Sequence, residues 1–427
     1  MFQVEKKILD NGLRILVVPM KNSEAVTIQI LVGVGSKNEE KKMNGISHFL
    51  EHLFFKGTKN RSNPGDIDKE IDKMGADHNA ATSHEATIFW IKSAVKNFDN
   101  ILDIISDVVL NPLFKEEEIE KEKGVILQEI SMYEDMPQRK VVDDLLWLTY
   151  GDQPAGRPLI GKNEIIKKIR RSDILKYQKE NYSAKNTIII ISGGIDKRET
   201  MKKISQSFKN FKSGKIVNAQ KTKITQKSSR IKIINKQTDQ SHLIIGFPCF
   251  SMFDERRYAF NILSAVLGGN TSSRLFMEIR QKLGLAYYVG SWGWLQKDTG
   301  MLGIRAGVSH DNFKKTIQKI SEILSDIREK GISKTELKDA KSFINGQMAL
   351  SFETSDQVAD FYGEQELFYN KIIQPEDILE KIEKISENDI LRLSREILIP
   401  EKLNMAVIGS HKNTEDKQEL FKKIFKT

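Results

Sequence analysis

The chain has a single cysteine, Cys249, among 427 residues. That excludes an intramolecular disulfide framework and any zinc site built on thiolates, so a metal would have to be held by histidine and carboxylate. No apolar run approaches the length of a membrane span. The start, MFQVEKKILDNGLRILVVP, has no long apolar stretch behind a basic segment, as a secretory signal would. The chain therefore reads as cytoplasmic with no membrane partner, or as resident in an organelle matrix if a presequence has been removed. The glycine pair of LGGNTSS (267–273) lacks the Gly-Lys-Ser/Thr ending of a phosphate loop and the spacing of a dinucleotide fingerprint, so it reads as a structural turn. Neither sign of charge dominates: 67 basic and 58 acidic residues leave a net +9, well intermixed. The densest basic stretch, 208–233, has no regular aromatic interleaving, and a nucleic-acid partner is not expected.

Histidine is also scarce, with seven in the whole chain, yet GISHFLEHLFFKGT (45–58) carries two of them four residues apart. On a helix, His48 and His52 stack on one face with Glu51 beside them, among the apolar Ile46, Phe49, Leu50, Leu53 and Phe54. Burying three polar groups without partners would cost roughly a few kcal/mol each, whereas a metal ion and a water would satisfy all three. The full pattern HxxEH is expected by chance in roughly one chain of this length in a hundred. The remaining question is the third ligand.

The length suggests two to three domains, and an internal repeat shows where they lie. SDILKYQKENYSAKNTIIIISGG (172–194) and NDILRLSREILIPEKLNMAVIGS (388–410) match in pattern without a gap, each a helix, a short connection and an apolar strand. The same offset lays VTIQILVGV (26–34) on HLIIGFPCF (242–250). The expected fold is α+β: two homologous α/β-sandwich domains, each a mixed sheet with helices packed on it, spanning 1–212 and 230–427 around a basic linker at 213–229. At the same offset His48, Glu51 and His52 fall on Ser264, Leu267 and Gly268. The repeating unit therefore does not need those polar residues, which favours chemistry over packing in the first copy.

For a third ligand, EEEIEKEKGVILQEISMYED (116–135) places Ile119, Glu122, Ile126, Glu129 and Tyr133 on one helical stripe. Glu117, Glu118 and Glu134 read as a solvated face. Glu122 and Glu129 are two turns apart and both face inward, so spacing does not choose between them.

HxxEH followed by a helix with E-x6-E resembles the inverted-motif zinc peptidases that include pitrilysin, insulin-degrading enzyme and mitochondrial processing peptidase. The likeness also takes in LDNGLRILVVP, NAATSHEAT (79–87), GRPLIG (156–161) and LGGNTSSRLFMEIRQKLGLAYYVGS (267–291), in order and spacing, along almost the whole chain. The resemblance implies a zinc-dependent endopeptidase holding one zinc per chain on His48, His52 and Glu129. It makes Glu122 the carboxylate that steadies the site and Glu51 the general base acting on a water at the open coordination position. Gln128 stands where many relatives have a second glutamate, outside the E-x6-E pair. Arg280 and Tyr287 would contact substrate near the scissile bond. Asn79 and Ala80 would pair with an extended peptide, with Ala81 where relatives often carry a larger side chain. His78 and His84 read as surface residues, and His242, His310 and His411 as isolated. The partners implied are a peptide substrate and a second copy of the chain, or an inactive relative, since long relatives join two such halves. A noncatalytic scaffold or partner subunit is the other class within the family, but such members typically lack part of the metal motif that is complete here.

Overall fold

The computed structural model describes residues 2–411 and 414–425. It contains two mixed sheets. The first has the order β1-β2-β6-β3-β5-β4, with β1 Glu5–Ile8, β2 Arg14–Pro19, β3 Ala25–Val32, β4 Asp77–Thr82, β5 Thr87–Ala94 and β6 Thr187–Gly193. The second has the order β7-β11-β8-β10-β9, with β7 Arg230–Asn235, β8 Ser241–Cys249, β9 Ala286–Leu295, β10 Gly300–Val308 and β11 Asn404–Gly409. Leaving out β1, the two orders correspond strand for strand. β2 pairs parallel with β6 as β7 does with β11, and Arg14 and Arg230 open the equivalent strands. Tandem repetition of one unit, expected from the sequence, is what the topology displays.

The central strands are buried on both faces because both faces are covered. β6, TIIIISG, is buried along its whole length, and β3 is buried from Val26 onward. β5 alternates instead, with Phe89 and Ile91 at 0% exposure between half-buried neighbours, the period of a strand with one inner face. NAATSHEATIFWI (79–91) falls in two strands joined by a turn. Asp77–Thr82 forms the sheet's outer strand, residues 83–86 turn, and Thr87 starts β5 in register with Thr82.

The chain divides into two compact units that are not contiguous: 1–131, 158–220 and 348–375 form one, and 132–157, 221–347 and 376–427 the other. Helix Pro137–Tyr150 comes from the first half of the chain but sets Val141, Leu145 and Tyr150 against Ile244, Met301 and Ile408 of the second sheet. Reciprocally, helix Ser355–Tyr369 sets Val358, Ala359 and Tyr362 against Leu16, Leu31 and Ile190 of the first. Among the described residues no helix is long and apolar enough to cross a membrane.

Candidate metal centre

Helix Ile46–Phe54 is seated by its apolar side. Phe49, Leu50 and Phe54 are fully buried, and the Phe54 ring lies 4.7 Å from Phe89, 5.2 Å from Tyr182 and 5.4 Å from Phe114. Its N-terminus is held by a residue well upstream. The Glu39 carboxylate accepts from the backbone N–H groups of Gly45 (2.7 Å) and Ser47 (2.8 Å) and from the Asn44 side-chain amide (3.0 Å). This satisfies helix-end donors that no local cap supplies. Burial pushes the Glu39 carboxyl up to about 7 against the pull of these hydrogen bonds. Gly45 has φ +100°, and a Cβ there would come within 2.7 Å of the Ile160 carbonyl oxygen and 2.9 Å of Gly161 Cα. The close backbone approach explains both Gly45 and the last glycine of GRPLIG.

The anchored helix presents His48, Glu51 and His52 towards helix Glu116–Asp135. Glu129 Oε2 lies 3.6 Å from His48 Nε2 and 3.4 Å from His52 Nε2. Two ligands held 2.0–2.2 Å from a tetrahedral ion sit roughly 3.3–3.6 Å apart, so both distances have the length of a tetrahedron's edge. The three side chains form the only metal-competent group of histidines, cysteines and carboxylates among the described residues. Their chemistry, two imidazoles and a carboxylate, suits zinc.

Glu122 has a different place. Its Oε2 lies 3.2 Å from the other ring nitrogen of His52, Nδ1, and its Oε1 lies 3.0 Å from Lys56 Nζ. A carboxylate accepting from Nδ1–H would leave Nε2 as the nitrogen that could bind a metal shared with Glu129. Helical spacing does not distinguish the two carboxylates, but their surroundings differ: Glu129 faces both Nε2 atoms, whereas Glu122 stands behind one ring. Glu118 departs from the sequence reading. It is 4% exposed and paired with Lys121 at 2.6 Å rather than lying on a solvated face.

Charge within the group is uneven. Burial, then the charge of His52, pushes His48 down to about 4. Burial also opposes a charge on His52, but hydrogen bonds to Glu122 and Glu129 and the charges of Glu51 and Glu129 hold its proton up to about 9. One positive charge therefore sits among these carboxylates, where a cation would replace it. Glu51 is raised by burial, while the Thr82 hydroxyl, donating to Glu51 Oε2 at 2.7 Å, pulls the other way. Thr82 is the site residue the sequence reading missed. Its signal was its place in NAATSHEAT, where the end of the outer strand meets the metal helix.

On β4, Asn79 is exposed and its side chain accepts from the Ala80 N–H at 2.8 Å, while among the described residues β4 pairs only with β5 and leaves its outer edge open. Neither His78 nor His84 joins the metal group. His78 Nε2 lies 3.1 Å from Asp68, and His84 is in the turn after β4, lowered to about 4 by burial and by Lys37. Arg280 and Tyr287 belong to the other compact unit. Arg280 lies in helix Phe276–Lys282 with its guanidinium 5.0 Å from the Phe276 ring, Gly284 follows with φ +60°, and Tyr287 stands in β9 at 73% exposure. The three C-terminal histidines are not isolated. Ser241 Oγ lies 2.8 Å from His310 Nδ1 and 3.1 Å from His411 Nε2, and His242 Nδ1 lies 3.0 Å from the Tyr288 hydroxyl. The Ser241 pairs join the ends of β8, β10 and β11, and the His242–Tyr288 pair links β8 to β9, adjacency that sequence distance hides.

Comparison with known proteins follows the same lines. Residues 14–163 match the family described as Insulinase (Peptidase family M16), and 168–343 match the Peptidase M16 inactive domain. A Rickettsia bellii protein named an uncharacterized zinc protease is 35% identical over 409 residues, covering 96% of this chain and 97% of its own. A Bacillus subtilis protein, also named an uncharacterized zinc protease, is 32% identical over 412 residues, covering 96% and 99%. Among solved structures, a protease from Helicobacter pylori superposes with a TM-score of 0.89 at 24% identity over 96% of this chain and all of that one, which speaks to the fold.

Proposed function

The chain belongs to the insulinase family, peptidase family M16, and from that membership together with the site's geometry we propose that it is a zinc-dependent endopeptidase acting on oligopeptides or unfolded, presequence-like segments. The observation that carries this reading is the meeting of His48 Nε2, His52 Nε2 and Glu129 Oε2 at ligand spacing beside the Glu51 carboxylate. Zinc, when bound there, supplies a Lewis acid that brings the pKa of a water towards about 7 and polarises the scissile carbonyl.

The chain's own residues do the rest. Glu51 takes the proton of the attacking water and passes it to the leaving amine, a task for which a carboxylate with raised pKa is suited. Thr82 aims Glu51, and Glu122 keeps the His52 proton on Nδ1. The open edge of β4, with Asn79 and Ala80, pairs with the backbone of an extended peptide, so most recognition is through main-chain hydrogen bonds and selectivity is broad. We assign Arg280 and Tyr287 to the oxyanion and the substrate near the cleaved bond. Both side chains are without hydrogen bonds or ion pairs among the described residues, and so are available for a ligand. The working form is a homodimer, or a pair with an inactive relative, in which these two residues serve the zinc of the partner chain.

The test is zinc content per chain and cleavage of unstructured peptides, before chelation, after it, and after zinc is restored. One zinc per chain with activity that follows it is expected. One zinc per chain without cleavage of any peptide would mean a scaffold subunit, and a chain that takes up no zinc would overturn the site.

A further inference from the structure

The second sheet carries a pocket of about 750 Å³ that, Tyr287 at its rim apart, none of the roles above uses. Its floor is the sheet face bearing Ile244, Tyr288, Trp292 and Arg305. The first turns of helix Pro137–Tyr150, through Gln138 and Val141, form one wall, and Phe276 with the turn Gly268–Thr271 forms another. Volume and apolar lining are those of a small-ligand or side-chain site.

The floor is built around the arginine. On β10 the residues two before and two after Arg305 are Gly303 and Gly307, which share its face. A Cβ on Gly303 would come within 2.3 Å of the Trp292 ring, and one on Gly307 within 2.3 Å of the Tyr288 ring. The two aromatic rings therefore lie down over the glycines, and the Arg305 side chain stands between them. Tyr288 is fixed in turn by His242. Arg305 is the only charged residue lining the pocket, no aspartate or glutamate lines it, and the Arg305 side chain makes no ion pair or hydrogen bond among the described residues. The contrast with Arg274 is sharp, since that guanidinium is held by Glu336 at 2.6 Å and by Asp326 at 2.8 Å.

We propose that this pocket binds a carboxylate of the peptide substrate, with the Arg305 guanidinium as its partner and Trp292, Tyr288 and Phe276 enclosing the adjoining apolar part. A planar fork of N–H donors matches a carboxylate two-for-two. One guanidinium without a lysine or a second arginine in the lining suits a monoanion better than a phosphate dianion. Tyr287, at the rim, ties the pocket to the substrate path, so the inference rests on the peptidase reading. The carboxylate has two sources, an acidic side chain or the peptide's C-terminus.

The experiment uses full-length Glu51→Gln chains, which bind without turning over, and four labelled peptides differing only in Glu against Gln at one position and in a free against an amidated terminus. Loss of the relevant carboxylate should weaken binding about tenfold, equivalent to roughly 1.4 kcal/mol. The series that responds identifies the source. Adding Arg305→Gln should erase the difference, and Arg305→Lys should keep part of it. Equal affinities, no binding, or a preference that survives Arg305→Gln would each overturn the proposal. Cleavage by the unaltered chain is scored separately. Cleavage without charge preference removes the pocket and leaves the peptidase; charge-selective binding without cleavage does the reverse.

Discussion

Thr82 aims Glu51 from another element, so base strength and base position can be separated by substitution. Glu51→Gln keeps size and shape but removes the proposed base. Peptide cleavage should fall by about two to four orders of magnitude while zinc, measured by metal analysis, stays bound. Thr82→Val removes the hydroxyl at 2.7 Å from Glu51. It should lower kcat by roughly ten- to a hundredfold with KM and zinc content little changed, and Thr82→Ser should restore it. If Thr82→Ser were as poor as Thr82→Val, packing rather than the hydrogen bond would be the cause. The two helix carboxylates should separate by degree. Glu129→Gln leaves two protein ligands and should lose most zinc affinity, whereas Glu122→Gln, which only frees the back of the His52 ring, should cost about ten- to a hundredfold in chelator competition.

At the level of the element, the metal helix begins on a buried carboxylate, and that makes its anchoring pH-dependent. Glu39 has its folded pKa raised from 4.5 to about 7. The folded state thus holds the proton more tightly than the unfolded one. The stability this contributes is full below about pH 4.5 and is lost as pH rises through about 7, a change on the order of 3 kcal/mol. Glu39→Gln does not titrate and should lack this slope, though it starts less stable because an amide cannot accept from all three donors. Thermal unfolding of the metal-free chains should therefore show the Gln variant gaining on its parent between pH 5 and pH 8. A constant gap across that range would mean that the carboxylate stays ionised throughout. Gly45 at the start of the helix and Gly161 in the loop against it allow no such adjustment, since a Cβ at either would meet backbone atoms within 3 Å.

For the molecule as a whole, the proposed pairing of two chains makes a prediction that neither unit makes alone. Glu51→Gln chains retain Arg280 and Tyr287, and Tyr287→Phe chains retain the base. If the residues act across chains, mixing two nearly inactive variants should restore activity through mixed dimers with one intact site, assayed after subunit exchange has been verified. If activity stays at the level of either parent, the pair serves its own chain or takes no part. Chain exchange on a smaller scale already exists within the fold, since helices Pro137–Tyr150 and Ser355–Tyr369 each cover the sheet belonging mainly to the other half of the sequence.

Local regularities were legible from the sequence alone. His48, Glu51 and His52 share a face because a helix turns once in 3.6 residues, and the stripe from Ile119 through Glu122 and Ile126 follows the same rule. The repeat was legible because two copies of one sheet need buried strands at matching intervals, as β3 and β8 show. Only the tertiary structure decided which carboxylate faces both imidazoles, for Glu122 and Glu129 lie on one stripe and differ only in what stands opposite each. It alone brought Thr82 to Glu51, Glu39 to the start of the metal helix and Ser241 to His310 and His411. It also decided which sheet each exchanged helix covers. An apolar periodicity states that a face will be buried, but burial of apolar surface is non-directional, and the partner is chosen by the packing of the whole chain.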